Sequence, residues 1–215
     1  MKFIDKNEEP EILANWKALE NPDWKPTWDN FQKPEKPVVH NALLKEQGYI
    51  CAYCGMRIGR EKSHIENLKP REKYPNLALD YTNFLASCQG ESETPPPIPV
   101  HCGHKKGKWY DDNLMVSPLK KDCGDFFRYT EDGQILATEE LDKQNAAETT
   151  IDRLGLNIDK LKAMRQGAIE AILEDFELLN VEEKQQLIDG LKKTNASGEY
   201  EEFVPVILYV IQQYL

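Results

Sequence analysis

Apolar residues recur at intervals of three and four through the last third of the chain, the spacing typical of amphipathic helices. A short helix is predicted over residues 146–154, and a long one follows with Asn157 as its N-cap. Asn180 begins a segment in the form of a capping box, which predicts another helix. Pro205 suits the first turn of a final helix, so this region is predicted to be helical throughout.

The first two thirds of the chain contains shorter helical and extended segments. Helices are predicted at 9–19, 38–48 and 80–86 and from Lys105 onward, and extended segments at 63–68, 126–129 and 133–136. The last two segments are expected to pair as a β-hairpin around a turn at 131–133. The proline-rich stretch at 91–100 is expected to be a loop of polyproline conformation, because proline interrupts helices and central strands.

These mixed elements predict an α+β fold with three regions. Residues 1–37 hold three of the four tryptophans and five prolines, and are predicted to form an arm that packs on the core. Residues 38–138 are predicted to be the core, and residues 139–215 a C-terminal helical region. The apolar stripes of that last region are expected to face the core, with a partner interface as the alternative.

Composition narrows the class of protein. The 215 residues are 40% hydrophobic and 30% charged, which is ordinary for a soluble globular chain. No apolar run is long enough to cross a membrane and no signal-peptide pattern is present, so we expect a cytoplasmic protein. The net charge of −10 is unlike that of most free-standing DNA-binding domains. Basic residues nevertheless outnumber acidic ones six to three in 57–73 and five to two in 105–121, so a modest basic face and an ordinary mixed surface are both open.

Four of the five cysteines lie in the predicted core. Cys51 and Cys54 form a CxxC pair, and Cys88 and Cys102 can complete a tetrahedral zinc site if folding brings them close. An odd number of cysteines in a reducing compartment favours metal over disulfides, although reduced buried cysteines are the simpler alternative. The alternative zinc ligands are His101 and Cys123.

A second group of polar side chains lies between these cysteines. His64 and Glu66 share one face of the predicted extended segment, where a histidine and a carboxylate can bind a divalent metal or share a proton transfer. Asn83 can hold a loop through backbone hydrogen bonds, and His104 is expected to project from the start of a helix. The neighbouring lysines form either a solvated helix face or contacts to phosphates without sequence preference; they are Lys105, Lys106 and Lys108.

Together these motifs resemble those of HNH endonucleases, and in particular the PtuB-like HNH proteins of the Septu anti-phage defence system, some of which accompany retrons. The resemblance extends over about residues 38–165. Its main strings are CAYCG at 51–55, HIENLKP at 64–70, DYTNFLASC at 80–88 and HCGHKKG at 101–107. The resemblance implies a ββα-metal finger with structural zinc, embedded here between N-terminal and C-terminal helical segments.

The resemblance also implies a chemistry. In this family a histidine acts as general base on water, while an acidic residue and a His or Asn hold Mg²⁺ or a similar ion such as Mn²⁺ at the leaving oxygen. By motif position, Glu66 and His104 are the implied ligands of that ion, and Asn83 the residue that orients the loop. The implied substrate is DNA, and the implied partner is an SMC/ABC-like ATPase subunit of the PtuA type.

The chain departs from the family pattern at one catalytic position. The general base is usually the histidine three residues before the proline, and here that position is Asn67, whose amide cannot accept a proton at neutral pH. Three explanations stay open. His64 takes over the role, the site is inactive or altered, or Asn67 is an engineered substitution.

The sequence thus predicts a metal-dependent HNH endonuclease subunit that hydrolyses DNA within an anti-phage defence complex. The alternative is a catalytically impaired, zinc-stabilised module for assembly or nucleic-acid binding. A third hypothesis is a redox protein in which Cys51 and Cys54 cycle between thiols and a disulfide.

Overall fold

A computed structural model describes residues 1–90 and 99–215. Within these ranges the chain forms seven α-helices: α1 (Glu11–Lys17), α2 (Glu35–Glu46), α3 (Cys102–Lys106), α4 (Leu141–Leu154), α5 (Asp159–Glu177), α6 (Val181–Leu191) and α7 (Val204–Ile211). Four of them follow residue 140, so the prediction of a helical last third is confirmed. Among the helices described, none combines the length and the apolar character that a bilayer crossing requires.

Four short strands in the described residues make two antiparallel pairs: β1 (Ser63–Asn67) with β2 (Phe84–Cys88), and β3 (Phe127–Tyr129) with β4 (Ile135–Ala137). The first pair sets His64 opposite Ser87 and Glu66 opposite Leu85. The second pair is the predicted hairpin, and Gly133 adopts a φ of +79° in its turn. The mixed α+β class is therefore confirmed.

One hydrophobic core holds most of the chain together. It includes Leu13 of α1, Leu43 of α2, Phe84 of β2 and Leu154 of α4, all fully buried. Side chains from all three predicted regions therefore pack into one cluster, while the division into those regions stays a prediction. A smaller apolar cluster joins α5, α6 and α7, and its buried members are Phe176, Ile188, Ile207 and Ile211.

Three helix ends follow the capping signals of the sequence. Asn180 Oδ1 accepts from Glu183 N and Glu183 Oε2 accepts from Asn180 N, each at 3.0 Å, so the predicted capping box is confirmed. Gly155 ends α4 in the left-handed conformation, with φ of +61°. Pro205 lies in the first turn of α7, as predicted.

Three predictions of secondary structure are wrong. Residues 80–86 form a short 3₁₀ turn followed by β2, because every residue of β2 is buried and the alternation that marks a strand is lost. Ile158, rather than Asn157, is the N-cap of α5, because the Asn157 side chain is hydrogen-bonded to the backbone of Ile135. Helix α3 begins three residues before Lys105 and ends one residue after it. The predicted polyproline loop lies mainly on residues 91–98, outside the described residues.

Candidate functional site

The four cysteines predicted as metal ligands converge at one point. Cys51 and Cys54 come from the loop between α2 and β1, Cys88 ends β2, and Cys102 begins α3. Their sulfur atoms all lie within 4.8 Å of one another, and all four residues are buried. Zinc–sulfur bonds of about 2.3 Å in a tetrahedron separate neighbouring sulfurs by about 3.8 Å. The 3.9 Å between the sulfurs of Cys54 and Cys88 fits that geometry, so the cluster can hold a metal such as zinc.

The backbone explains how two cysteines distant in sequence become neighbours. His101 N donates to Gly90 O at 3.0 Å, which brings together the two ends of the connection between β2 and α3. Gly90 has a φ of +67°, and a Cβ atom there would lie 2.2 Å from His101 O. Only glycine therefore allows this close approach, which places Cys88 beside Cys102.

The two alternative ligands differ in position. His101 Nδ1 lies 3.2 Å from the sulfur of Cys102 and 3.7 Å from that of Cys88, so the ring lies against the cluster. Cys123 is buried but is not a member of the group. Among the described residues, the four cysteines are the one group of three or more such ligands close enough to share a metal ion.

His64, Glu66 and His104 meet beside the cysteine cluster. His64 and Glu66 occupy one face of β1, with 3.4 Å between Nε2 and Oε2. The His104 ring, carried by α3, stacks on His64 with 4.5 Å between ring centroids and 15° between planes. Nδ1 of His104 contacts Gln89 O. Nδ1 of His64 is buried, so Nε2 is the nitrogen that faces the shared space.

Lys106 is part of this site and not of an exposed face. Its side chain is 0% exposed, and its ammonium lies 2.8 Å from Glu66 Oε1. The same ammonium donates to Asn67 O at 3.2 Å. The expectation that Lys106 belongs to a solvent-facing basic helix is wrong, because α3 packs against the β1–β2 pair and this side chain points toward β1.

The other two lysines of that predicted face remain accessible. Lys105 and Lys108 are exposed. The ammonium of Lys108 lies 3.4 Å from Glu72 Oε1, so part of its charge is offset. Their contact with nucleic acid stays a prediction.

Asn83 fastens the connection between β1 and β2. Its Oδ1 accepts from Lys69 N at 2.8 Å, and its Nδ2 donates to Lys69 O, Leu77 O and Asn67 Oδ1 at 3.0 to 3.1 Å. The Asn67 side chain is buried in these contacts, on the strand face opposite Glu66.

Two residues near the site carried little signal in the sequence. Gly103 is one, because its backbone lies against both His64 and Glu66. His40 of α2 is the other, with Nε2 2.9 Å from Oγ of Ser63, the residue before His64. Burial, with further effects of the charges of His64, Arg60 and Lys36, lowers the pKa of His40 to about 4. A lone histidine and a lone glycine show no pattern, so only the fold reveals them.

Comparison with known proteins identifies relatives of this chain. No protein-family model matches the chain. A Vibrio cholerae serotype O1 biovar El Tor protein, named as an HNH endonuclease of retron Vc95, is 31% identical over 64% of this chain and 66% of its own length. An Escherichia coli protein, named as an HNH endonuclease of retron Ec83, is 29% identical over 77% of this chain and 78% of its own. Septu protein PtuB of Bacillus thuringiensis is 32% identical over 81% of this chain and 69% of its own.

The fold and these relatives agree on a class. A two-stranded hairpin followed by a short helix, with histidines and a carboxylate beside a cysteine cluster, is consistent with the ββα unit of HNH proteins. The chain belongs to the HNH endonuclease family that includes Septu protein PtuB.

Proposed function

We propose that the chain is a metal-dependent HNH endonuclease subunit of an anti-phage defence complex and hydrolyses phosphodiester bonds in DNA. The observation that carries this proposal is the meeting of His64, Glu66 and His104 on β1 and α3, beside the cysteine cluster. The names of the relatives support it, since two are named as HNH endonucleases of retrons and one as a Septu protein.

The proposal includes two metal ions, one at the cysteine cluster and one at Glu66 and His104. Cys51, Cys54, Cys88 and Cys102 would hold a structural zinc, for which four thiolates are a preferred set. Glu66 and His104 would hold a catalytic Mg²⁺ or Mn²⁺. When bound, that ion polarises the phosphodiester and stabilises the charge on the leaving oxygen.

His64 is the proposed general base. Its Nε2 faces the shared space 3.4 Å from Glu66 Oε2, and the His104 ring fixes its plane. An imidazole nitrogen in this position can take a proton from water, whereas the Asn67 amide is buried against Asn83. The other two explanations for Asn67, an altered site and an engineered substitution, stay open.

The proposed partner is an SMC/ABC-like ATPase subunit of the PtuA type, in the cytoplasm, and an association with retrons is open as well. The name of the Bacillus relative supports a Septu complex. The net charge of −10 agrees with a partner that contributes much of the DNA-binding surface.

Cleavage of plasmid DNA by the chain co-purified with its ATPase tests the proposal. We expect nicking that needs added Mg²⁺ or Mn²⁺ and is lost in His64→Ala. Full activity in His64→Ala would reject His64 as the base, and activity that appears only in Asn67→His would assign the base to position 67.

The second candidate function is a non-catalytic, zinc-stabilised module for assembly or nucleic-acid binding. Asn67 at the usual base position is the observation that favours it. Intact zinc and intact complex formation, without cleavage by either the unsubstituted chain or Asn67→His under any divalent metal, would establish it.

A further inference from the structure

We propose that a basic groove beside His64 binds the phosphodiester backbone of the substrate strand; this inference rests on the proposed nuclease function. The groove is formed by the N-terminal arm, α2 and the segment that enters β1. Its ligand is an extended polyanion, which we assign to a DNA strand.

The groove borders the candidate catalytic site at His64. It has a volume of about 480 Å³, and His64 is one of its lining residues. Lys33 and Lys36 line it from the end of the arm and the start of α2, and Arg60 lines it from the segment before β1. A strand lying in the groove would therefore bring one of its phosphates next to His64.

The charge of the groove is not balanced from within. No carboxylate lies among its described lining residues. Across the described parts of the chain, none of Lys33, Lys36 and Arg60 forms an ion pair with an aspartate or glutamate. Three cations without acidic partners stand out in a chain whose 37 acidic residues outnumber its 27 lysines and arginines. An anionic ligand would supply the missing partner.

The surroundings of Lys36 disfavour the charged form of its ammonium. Its ammonium lies 5.1 Å from the ring centroid of Trp28, and the guanidinium carbon of Arg71 lies 4.8 Å from the same centroid. Partial burial, and then the charge of Arg71, lower the pKa of Lys36. The negative charge of a phosphate in the groove would offset the repulsion from Arg71 and stabilise the charged form of Lys36.

The arm is held rigidly enough to form one wall of a binding site. Trp28 packs edge-on against Phe84 of β2, with 5.7 Å between ring centroids. It also contacts Phe31, which is fully buried, at 5.9 Å between centroids. The same strand pair thus carries His64 and anchors the arm, which fixes the groove relative to the catalytic side chains.

The lysines predicted from sequence are a weaker alternative. Lys106 is buried against Glu66, and Lys108 lies next to Glu72. Two of the three positive charges near α3 are therefore already offset, whereas those of the groove are not.

Fluorescence anisotropy of the 215-residue chain tests the groove without cleavage. The probes are a labelled duplex DNA, a single-stranded DNA and an RNA of the same sequence, with no added divalent ion. The triple variant Lys33→Gln, Lys36→Gln, Arg60→Gln should bind DNA roughly tenfold or more weakly. The slope of log K against log salt should fall by about one for each phosphate contact removed.

Matched controls separate a local effect from a change in net charge. Lys160→Gln, Lys192→Gln, Lys193→Gln removes three exposed positive charges elsewhere and should leave binding within about twofold. Replacement of Lys33 and Lys36 by arginine keeps the charge and should preserve binding. Equal zinc content and equal thermal unfolding of all variants show that none has misfolded.

Three outcomes would overturn the proposed groove: no nucleic-acid binding by the unsubstituted chain, equal binding by the groove and control triple variants, or loss of binding only in the double variant Lys105→Gln, Lys108→Gln. Tighter binding of RNA would keep the phosphodiester site and reject its assignment to DNA. A parallel cleavage assay with Mg²⁺ separates the two proposals. If the groove triple variant loses binding and neither it nor the unsubstituted chain cleaves DNA, the groove is retained and the nuclease function is rejected. If the triple variant cleaves DNA with an unchanged KM, the nuclease function is retained and the groove is rejected.

Discussion

The backbone of Gly103 closes one side of the candidate site. A Cβ atom at this position would lie 2.8 Å from His64 Nε2 and 2.8 Å from Glu66 Oε2. Gly103 N also donates to Ser87 Oγ at 3.1 Å, which fixes α3 against β2. A side chain of any size would therefore separate the two groups on which the proposed chemistry depends.

Gly103→Ala should reduce cleavage at least tenfold, since displacements of about 1 Å at a reacting centre cost that much or more. Zinc content should not change, because the cysteines are not displaced. Gly167→Ala is the matched control, since a Cβ atom on that glycine of α5 would meet nothing within 4 Å. The control should keep full activity in the plasmid assay, and equal activity of Gly103→Ala would refute the tight fit.

Lys106 and Glu66 form a buried ion pair, so the loss of one partner leaves the other without compensation. Lys106→Met should lower the free energy of unfolding by roughly 3 kcal/mol. The double variant Lys106→Met, Glu66→Gln should recover part of that loss, because the buried charge is then gone. Urea unfolding of the two single variants and the double variant measures the coupling, and strictly additive effects would show that the pair does not interact.

The residues of the site differ in how far the sequence revealed them. The alternation of His64 and Glu66 placed both on one face of β1, and the observed contact agrees with that prediction. The position of Lys106 could not be predicted, because a run of lysines shows no period and its burial depends on tertiary contact with β1. Gly103 carried no signal, since its role is the space that it leaves open.

At the scale of elements, a buried arginine joins the β3–β4 hairpin to the helices. Arg165 of α5 is 0% exposed, and its guanidinium donates to Gly133 O at 2.6 Å and to Leu156 O at 2.8 Å. It also donates to Asn157 Oδ1 at 3.3 Å, while Asn157 bonds to the Ile135 backbone. Three backbone segments thus depend on one side chain.

Arg165→Met should lower the free energy of unfolding by about 2 to 4 kcal/mol, because two buried carbonyls lose their donors. Lys160→Met removes an exposed cation from the same helix and should change stability by less than about 0.5 kcal/mol. Urea unfolding of both variants compares them. A loss no larger for Arg165→Met than for Lys160→Met would mean that water replaces these hydrogen bonds.

How well the sequence predicted an element depended on whether one or both of its faces are buried. Helices α5 and α6 are apolar on one side only, so their 3.6-residue period was visible in the sequence. Strand β2 is buried on both faces, so its apolar run could not be distinguished from a helix. The sequence predicted that the Asn157 side chain caps α5, but in the fold this side chain accepts a hydrogen bond from Ile135 N of β4 instead.

At the scale of the whole molecule, the basic groove contrasts with the acidic net charge of the chain. The chain is acidic, yet the groove beside His64 is lined by cations and no described carboxylate. An acidic body would repel DNA outside the proposed groove, so productive contact would be confined to that groove and to any surface that the proposed partner supplies. Binding by the chain alone should therefore be weak and strongly dependent on salt.

The cysteine cluster connects three parts of the chain: the loop before β1, the end of β2 and the start of α3. Since α3 carries His104, metal loss should disturb the candidate site as well as stability. We expect about one zinc per chain by elemental analysis, and Cys54→Ser should lose the metal and unfold at lower temperature.

Cys123→Ser is the matched control, because Cys123 is equally buried but lies outside the cluster. That variant should keep its zinc, whatever its stability. Full zinc in Cys54→Ser, or loss of zinc in Cys123→Ser, would show that these four cysteines are not the metal site. A disulfide between Cys51 and Cys54 in the purified protein would instead favour the redox hypothesis.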